Sequence, residues 1–355
     1  MVFLLSARKN SRSRRHKLMG EVCRVVGSAG SPYSMKMRAI FRYRRIPHIW
    51  EHRSGRVRDE TADVRPLLIP MVKFPDGGDW RVDSTPIAYE LEERYSERSI
   101  LPVDPVHRFL AELIEDMADE WLTKAMFHYR WYYEPDQAFA SWWIASDGLS
   151  ADSVPRAERE EFAREFGQRQ IERMGMVGCT EENKPVIEET YRRVLQALET
   201  RCGLEGYLFG TRPSLADFGL FGQLKTLGDD PTPRAEMSRI APTVLHWLRQ
   251  TDDLSGNDGK WLSADMALPD AVTGLLKVCG EAYLPFLAAN MSALEAGESA
   301  LALTIFGKPY AQSPFRYQGK CYSRLRSRYG RLEDEDKQRA DALLEPTGCT
   351  RLLKS

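Results

Sequence analysis

The chain has 355 residues, 43% of them hydrophobic, with 50 Lys and Arg set against 51 Asp and Glu. That length supports two domains with cores of their own, and a net charge of -1 recommends neither nucleic acid nor a membrane surface as partner. No apolar run approaches the roughly 18 residues of a membrane span, and the six cysteines, none in a C-x-x-C pair, read as idle thiols of a reducing, cytoplasmic compartment.

Residues 1–20 carry Arg8, Lys9, Arg12, Arg14, Arg15, His16 and Lys17 with no acidic residue before Glu21. This is a basic arm, predicted to be disordered; a targeting peptide and a natural start at Met19 are the other readings. Val22–Val26 then predicts a buried strand, Gly27–Gly30 break it, and Met35–Tyr43 predicts a helix with Pro32 in its first turn. Ser31 therefore stands at a helix N-terminus, among unpaired N–H donors. That place suits an anion, and it also suits a simple N-cap.

Arg42–Arg65 reads as an irregular basic link with a short strand at His48–Glu51. Leu67–Phe74 predicts a strand with Pro70 near its start, which a central strand accepts only if the chain bends there. A cis Ile69–Pro70 bond would provide the bend and leave the Met71 backbone free for a peptide-like ligand. Pro75–Asp79 is a hairpin turn and Trp80–Val82 the returning strand. Asp83–Tyr95 opens a helix capped by Ser84 or Thr85, with Pro86 in its first turn. Pro102–Pro105 is a stiff linker.

From 105 to 250 the pattern is helical. Phe109, Leu110, Leu113, Ile114, Met117, Trp121, Leu122 and Ala125 recur at three- and four-residue steps and form the apolar face of one long helix. Ser214–Asp217 is a capping box after the Gly-rich turn Gly206–Pro213. Beyond Trp261, a helix over Asp270–Leu294 interrupted at Pro285, a strand over Ala300–Phe306 and a charged closing helix over Gln318–Leu344 are predicted.

Ser31–Ser34, Ile69–Pro70 and Asp83–Ser84, in that order and followed by the capped helix at Ser214, resemble the glutathione-contacting segments and helical domain of the glutathione S-transferase superfamily. The resemblance implies an α/β thioredoxin-like domain over 21–101, an all-α domain over 105–260 and a mostly helical C-terminal extension over 261–355. The extension has no counterpart in the resemblance; a lid, a cover for the helical domain and a dimer contact are the roles open to it.

Glutathione as co-substrate is the first functional implication, with a homodimer and a detoxification role as companions. Ser31 stands where serine-type members place the hydroxyl that stabilises the thiolate, with Tyr33 and Ser34 as competing donors. No cysteine occupies that position, which argues against a mixed disulfide with the protein. By the same resemblance the Ile69 backbone before Pro70 pairs with the cysteinyl portion, and Asp83 and Ser84 take the γ-glutamyl end. Many relatives carry a lysine where this chain has Leu68, so an arginine from 42–65 is the candidate for the glycyl carboxylate.

The second-substrate pocket is placed between the domains at Met117, Trp121 and His128, within an aromatic run that also holds Phe127, Tyr129, Trp131, Tyr132 and Tyr133. Asp116, Asp119 and Glu120 beside it read as solvated or structural. No pair among the six histidines has metal-ligand spacing, so no metal is expected. The implied activity is transfer of glutathione to an apolar electrophile; a glutathione-dependent isomerase or ether-cleaving lyase shares the site, and a non-catalytic binding or scaffold protein is the other class.

Overall fold

The structure, a computed structural model, describes residues 22–149, 154–200 and 206–354; the basic arm lies outside the described residues. Strand β1 (Cys23–Val26) is buried along its length, and helix α1 (Pro32–Tyr43) carries the chain over to β2 (His48–Glu51), which lies parallel to β1 from Cys23↔His48 to Val26↔Glu51. After a short helix α2 (Gly55–Glu60), strands β3 (Met71–Lys73) and β4 (Arg81–Val82) extend the sheet antiparallel, in the order β2-β1-β3-β4, and α3 (Ser84–Arg94) closes the domain.

Three local expectations change. The strand expected from Leu67 begins only at Met71, because Pro66 and Pro70 have no N–H to give the ladder. Met71 lies between Val26 of β1 and Val82 of β4, so its backbone faces the sheet and not a ligand. Asp83, not Ser84 or Thr85, caps α3, its carboxylate accepting from the Thr85 N–H at 3.4 Å. The Ile69–Pro70 bond is cis as expected, and so is Arg65–Pro66.

The helical domain begins with α4 (Pro105–Met117), runs through a π turn at Ala118–Leu122 into α5 (Thr123–Tyr132), and continues with α6 (Glu134–Gly148), α7 (Arg156–Glu172) and α8 (Lys184–Glu199). Helix α9 (Leu215–Asp229) is buried on nearly all sides and holds the expected box, in which Asp217 accepts from the Ser214 N–H at 2.8 Å; α10 (Pro231–Ile240) and α11 (Pro242–Thr251) follow it. A β-carbon on Gly222 of α9 would stand 2.4 Å from the Pro32 carbonyl oxygen. Only glycine lets α9 touch α1 that closely, so this contact sets how the helical domain meets the first turn of α1.

The extension comprises α12 (Asp270–Val278), a π turn at Cys279–Tyr283, α13 (Leu284–Ala296), a hairpin of β5 (Leu301–Ile305) and β6 (Lys308–Gln312), then α14 (Arg316–Gly330), α15 (Asp334–Leu344) and α16 (Cys349–Lys354). The break expected at Pro285 is thus the π turn before it, β6 was not foreseen, and the single closing helix is two. The 27-residue run Asp270–Ala296 is long and apolar enough to cross a membrane. Here it packs against α8 and α14 as a core helix.

The extension is fastened to α4 by apolar and polar contacts alike. Tyr329 meets Phe109 at a ring distance of 5.8 Å, Arg328 pairs with Glu112 at 2.7 Å, and the Tyr283 hydroxyl donates to Asp116 at 2.6 Å. Trp121 is clasped by two extension rings, Phe286 at 4.9 Å and Tyr310 at 5.2 Å. Side chains of that size contribute roughly 1.5 to 3 kcal/mol each on burial, so the extension shares one core with the helical domain.

Candidate functional site

Two cavities flank the N-terminal end of α1, and Ile69 lines both. The first, of about 310 Å³, lies between the domains: Gly27, Ser28, Gly30, Ser31, His52 and Arg53 form its floor, and Met126, Phe127, Trp131, Ile144, Phe162 and Phe166 its apolar wall. The second, of about 240 Å³, is walled by Tyr33, Asp83 and Ser84 on one side, by Asp116, Asp119 and Glu120 on another, and by Tyr317 and Arg324 of α14. They are called here the apolar and the acidic cavity.

Ser31 is the N-cap of α1, with extended backbone and Pro32 at the first helical position. Its Oγ accepts from the Ser34 N–H at 3.3 Å, which leaves its own proton free to donate into the apolar cavity. Neither competitor is so placed. The Tyr33 hydroxyl donates to the Asp119 carbonyl at 2.8 Å, and burial, with Glu120 and Asp119 nearby, pushes its pKa well above the ordinary value. Ser34 is fully buried and lines neither cavity.

The turn before Ser31 is braced from far along the chain. One Asp147 oxygen accepts from Ser28 Oγ at 2.6 Å and from the Ala29 N–H at 2.9 Å, and the other lies 3.3 Å from His52 Nδ1. Arg130 donates to the Gly30 carbonyl at 2.7 Å and to Asp230 at 2.7 Å, both side chains being buried. Burial pushes the Asp230 carboxyl up to about 6, against the pull of Arg130. Nothing local in the sequence marks Asp147, Arg130 or Asp230 as braces of this turn.

The acidic cavity has a charged floor. Lys36 of α1 reaches up between Glu115 and Asp119, 2.7 Å from the latter, while Thr85 Oγ donates to Glu115 at 2.6 Å. Burial opposes the Lys36 charge, but Asp119 and Glu115 outweigh it and hold its pKa above the ordinary range. Arg324 pairs with Asp116. The carboxylates still outnumber these cations: burial, then Asp116 and Asp119, push the Glu120 carboxyl up to about 8, and burial raises Asp119 despite Lys36. Asp116, Asp119 and Glu120, expected to be solvated or structural, are therefore cavity walls, with Asp116 and Asp119 buried in ion pairs.

Asp83 joins this wall with a positive φ of 74°, a costly backbone for a residue with a β-carbon. One of its oxygens caps α3 and the other accepts from the Tyr317 hydroxyl at 3.0 Å. Ser84 lies beside it, 2% exposed. At the opposite end, on the apolar cavity, Arg53 is held by Thr61 Oγ at 3.1 Å; burial and the like charges of Arg58 and Arg65 lower its pKa, and no carboxylate among the described residues pairs with it.

Met117, Trp121 and His128 line neither cavity. All three are buried in the core, where Trp121 donates to Thr190 at 3.2 Å and His128 lies 3.2 Å from Glu188. The π turn at Ala118–Leu122 adds a residue to the helix, and beyond it Met126, Phe127, Arg130 and Trp131 reach the cavity while Trp121 and His128 turn toward α8 and the extension. Among the described residues no group of His, Cys, Asp and Glu is arranged to hold a metal.

A small mixed sheet carrying a hydroxyl at the entry of its first helix, docked on a helical domain whose buried, boxed helix touches that entry, defines a two-domain, thioredoxin-like architecture. Residues 25–99 match the family model described as glutathione S-transferase, N-terminal domain, and residues 157–252 that described as glutathione S-transferase, C-terminal domain. The chain thus carries an N-terminal and a C-terminal domain of the glutathione S-transferase type. No curated protein matches its sequence. Among solved structures it is similar to a glutathione S-transferase from Methylobacterium radiotolerans JCM 2831 in complex with glutathione sulfonate, at 16% identity over 69% of this chain and 97% of that one, TM-score 0.38. It is similar also to a beta-etherase from Sphingobium sp. strain SYK-6 (18%, 64% and 94%, TM-score 0.44). A maleylacetoacetate isomerase from Anaeromyxobacter dehalogenans 2CP-1 with bound GSH is a third (19%, 65% and 94%, TM-score 0.33).

Proposed function

We propose that the protein activates the thiol of glutathione and directs it at an apolar electrophile. The observation that carries this reading is the position of Ser31: a hydroxyl at the positive end of α1, opening on an apolar cavity whose floor holds Arg53 and which meets, at Ile69, a cavity lined by carboxylates. Glutathione has the matching order of charges, with a carboxylate at its glycyl end, a thiol in the middle and an ammonium at its γ-glutamyl end. Arg53 takes the glycyl carboxylate, the Ile69 backbone the cysteinyl portion, and Asp83 and Ser84 the γ-glutamyl group, in agreement with the roles implied by resemblance.

A free thiol has a pKa near 8.5, so it is mostly protonated at neutral pH and a poor nucleophile. Ser31 O–H and the α1 dipole stabilise the thiolate; its proton leaves to solvent, the sulfur attacks the electrophilic atom, and the leaving group departs with its electron pair. The aromatic wall holds the electrophile and excludes water. An isomerase or ether-cleaving lyase would use the same thiolate and differ in the electrophile alone.

Retention on immobilised glutathione, followed by turnover of an aryl halide, tests the reading. Retention without turnover of aryl halide, maleyl or aryl-ether substrates would leave the non-catalytic binding protein, and absence of retention would remove glutathione from the site. Among the described residues Cys23, Cys179, Cys279, Cys321 and Cys349 are buried free thiols, in keeping with a reducing compartment.

A further inference from the structure

Helix α14 lies outside both segments matched by the family models, yet it completes the acidic cavity. Arg324 is the one arginine on that cavity's wall, and it is only half used. One terminal nitrogen meets Asp116, while Nε and the other terminal nitrogen have no acceptor among the described residues. Opposite it stand Ser84 and Thr85, the first residues of α3, whose N-terminus favours negative charge. A carboxylate between Arg324 and the α3 N-terminus would be met from both sides.

Asp83 supplies the complement. Its two oxygens are fixed by the Thr85 N–H and the Tyr317 hydroxyl, both neutral donors, and no cation pairs with it among the described residues. Asp119 and Glu120 line the same space and add further oxygen acceptors. The cavity thus presents a carboxylate site and an ammonium site side by side, the pattern an α-amino acid head group needs, and α14 contributes a group to each.

Resting on the proposed function, we infer that the C-terminal extension is part of the binding site for the α-amino acid head of the γ-glutamyl group: Arg324 takes its α-carboxylate, and Tyr317 holds Asp83 in place for its ammonium. The extension then acts as a specificity wall, and a chain without it would tell a γ-glutamyl group from a plain acyl group less sharply, through Asp83 and Ser84 alone.

Calorimetric titration of the full chain tests this with three ligands: glutathione, its analogue lacking the α-ammonium, and its analogue lacking the α-carboxylate. Arg324→Gln should weaken glutathione about ten- to a hundredfold, the range for a charge-assisted hydrogen bond, and should weaken the analogue lacking the carboxylate by less than about threefold. Arg324→Lys, which keeps the charge beside Asp116 but loses the fork, should fall between. Tyr317→Phe should cost roughly three- to tenfold with glutathione and much less with the analogue lacking the ammonium. Arg328→Gln is the control for docking of α14, because Arg328 of α14 pairs with Glu112 of α4 yet lines neither cavity; it should leave all three affinities within about twofold. Equal losses with glutathione and the decarboxylated analogue in Arg324→Gln, or no loss in both Arg324→Gln and Tyr317→Phe while the native chain binds, would overturn the inference and leave the proposed function standing. No binding of glutathione by the native chain would overturn both.

Discussion

The two cavities flank the same helix and share Ile69, but they are built on opposite principles. The apolar cavity has aromatic and aliphatic walls, and its key hydroxyl acts through a helix N-terminus that carries only partial charge. The acidic cavity gathers full charges, more negative than positive, and keeps several of them out of water. The contrast separates reactivity from recognition. A thiolate needs a donor at the sulfur and no neighbouring anion to repel it, whereas an ammonium and a carboxylate are best told apart by groups of fixed charge.

The contrast breaks most readily at the brace of the apolar side. Arg130→Met leaves Asp230 buried without its cation, and such a loss costs about 3 to 5 kcal/mol, to be read by chemical denaturation. The double variant Arg130→Met with Asp230→Leu should recover most of that stability while activity stays low, because the Gly30 carbonyl has still lost its donor. Equal stability of the single variant and the native chain would show that the pair braces nothing.

Next in size is Ser31→Ala. Removing the donor to a thiolate should lower turnover by about ten- to a hundredfold, or roughly 1.5 to 3 kcal/mol, with glutathione affinity nearly kept. A fully active Ser31→Ala together with a dead Tyr33→Phe or Ser34→Ala would move the chemistry to another hydroxyl.

On the acidic side the expected sign is reversed, with affinity falling and intrinsic turnover kept. Asp83→Asn should weaken glutathione by roughly 1 to 3 kcal/mol, and should weaken an analogue without the ammonium far less. A coupling of zero in that cycle would reduce Asp83 to a helix cap.

The smallest effect concerns pH and distinguishes the cavities without any ligand. Folding raises the Glu120 carboxyl from 4.5 to about 8, through burial and through Asp116 and Asp119, with Lys124 pulling the other way. Between those values the folded chain binds a proton that the unfolded chain has released, so this group makes stability fall as pH rises. Glu120→Gln should flatten that slope and raise the melting temperature at pH 8 by about 2 to 4 °C per kcal/mol relieved. An unchanged thermal profile across that range would show that the carboxyl is solvated.

How much of this was legible in the sequence depended on how far apart the cooperating residues lie. Ser31 with Pro32, Ile69 with Pro70 and Asp83 with Ser84 are neighbours in the chain, and each marks a local conformation: a helix entry, a bend before a strand, a second helix entry. Backbone geometry and the chemistry of adjacent residues decide these, so the three turns, and through their resemblance the two-domain plan, could be read from the sequence. The boxed helix at Ser214 belongs with them.

The walls were not legible. Ser28 and Asp147 are separated by 119 residues and Asp83 and Tyr317 by 234, and no local rule links such pairs. Of the expected aromatic run Phe127 and Trp131 reach the cavity while Trp121 and His128 turn into the core, because apolar periodicity does not distinguish a face turned to a cavity from one turned to a second core. Asp116, Asp119 and Glu120 read as solvated or structural because charge is ordinarily exposed or paired, and neither alternative placed them on a cavity wall. By itself the sequence determined where the chain would bend, cap and present a hydroxyl. Only the tertiary structure decided what stands opposite, since burial is a property of everything that packs around a residue, and here part of that packing comes from a helix some two hundred residues further along the chain.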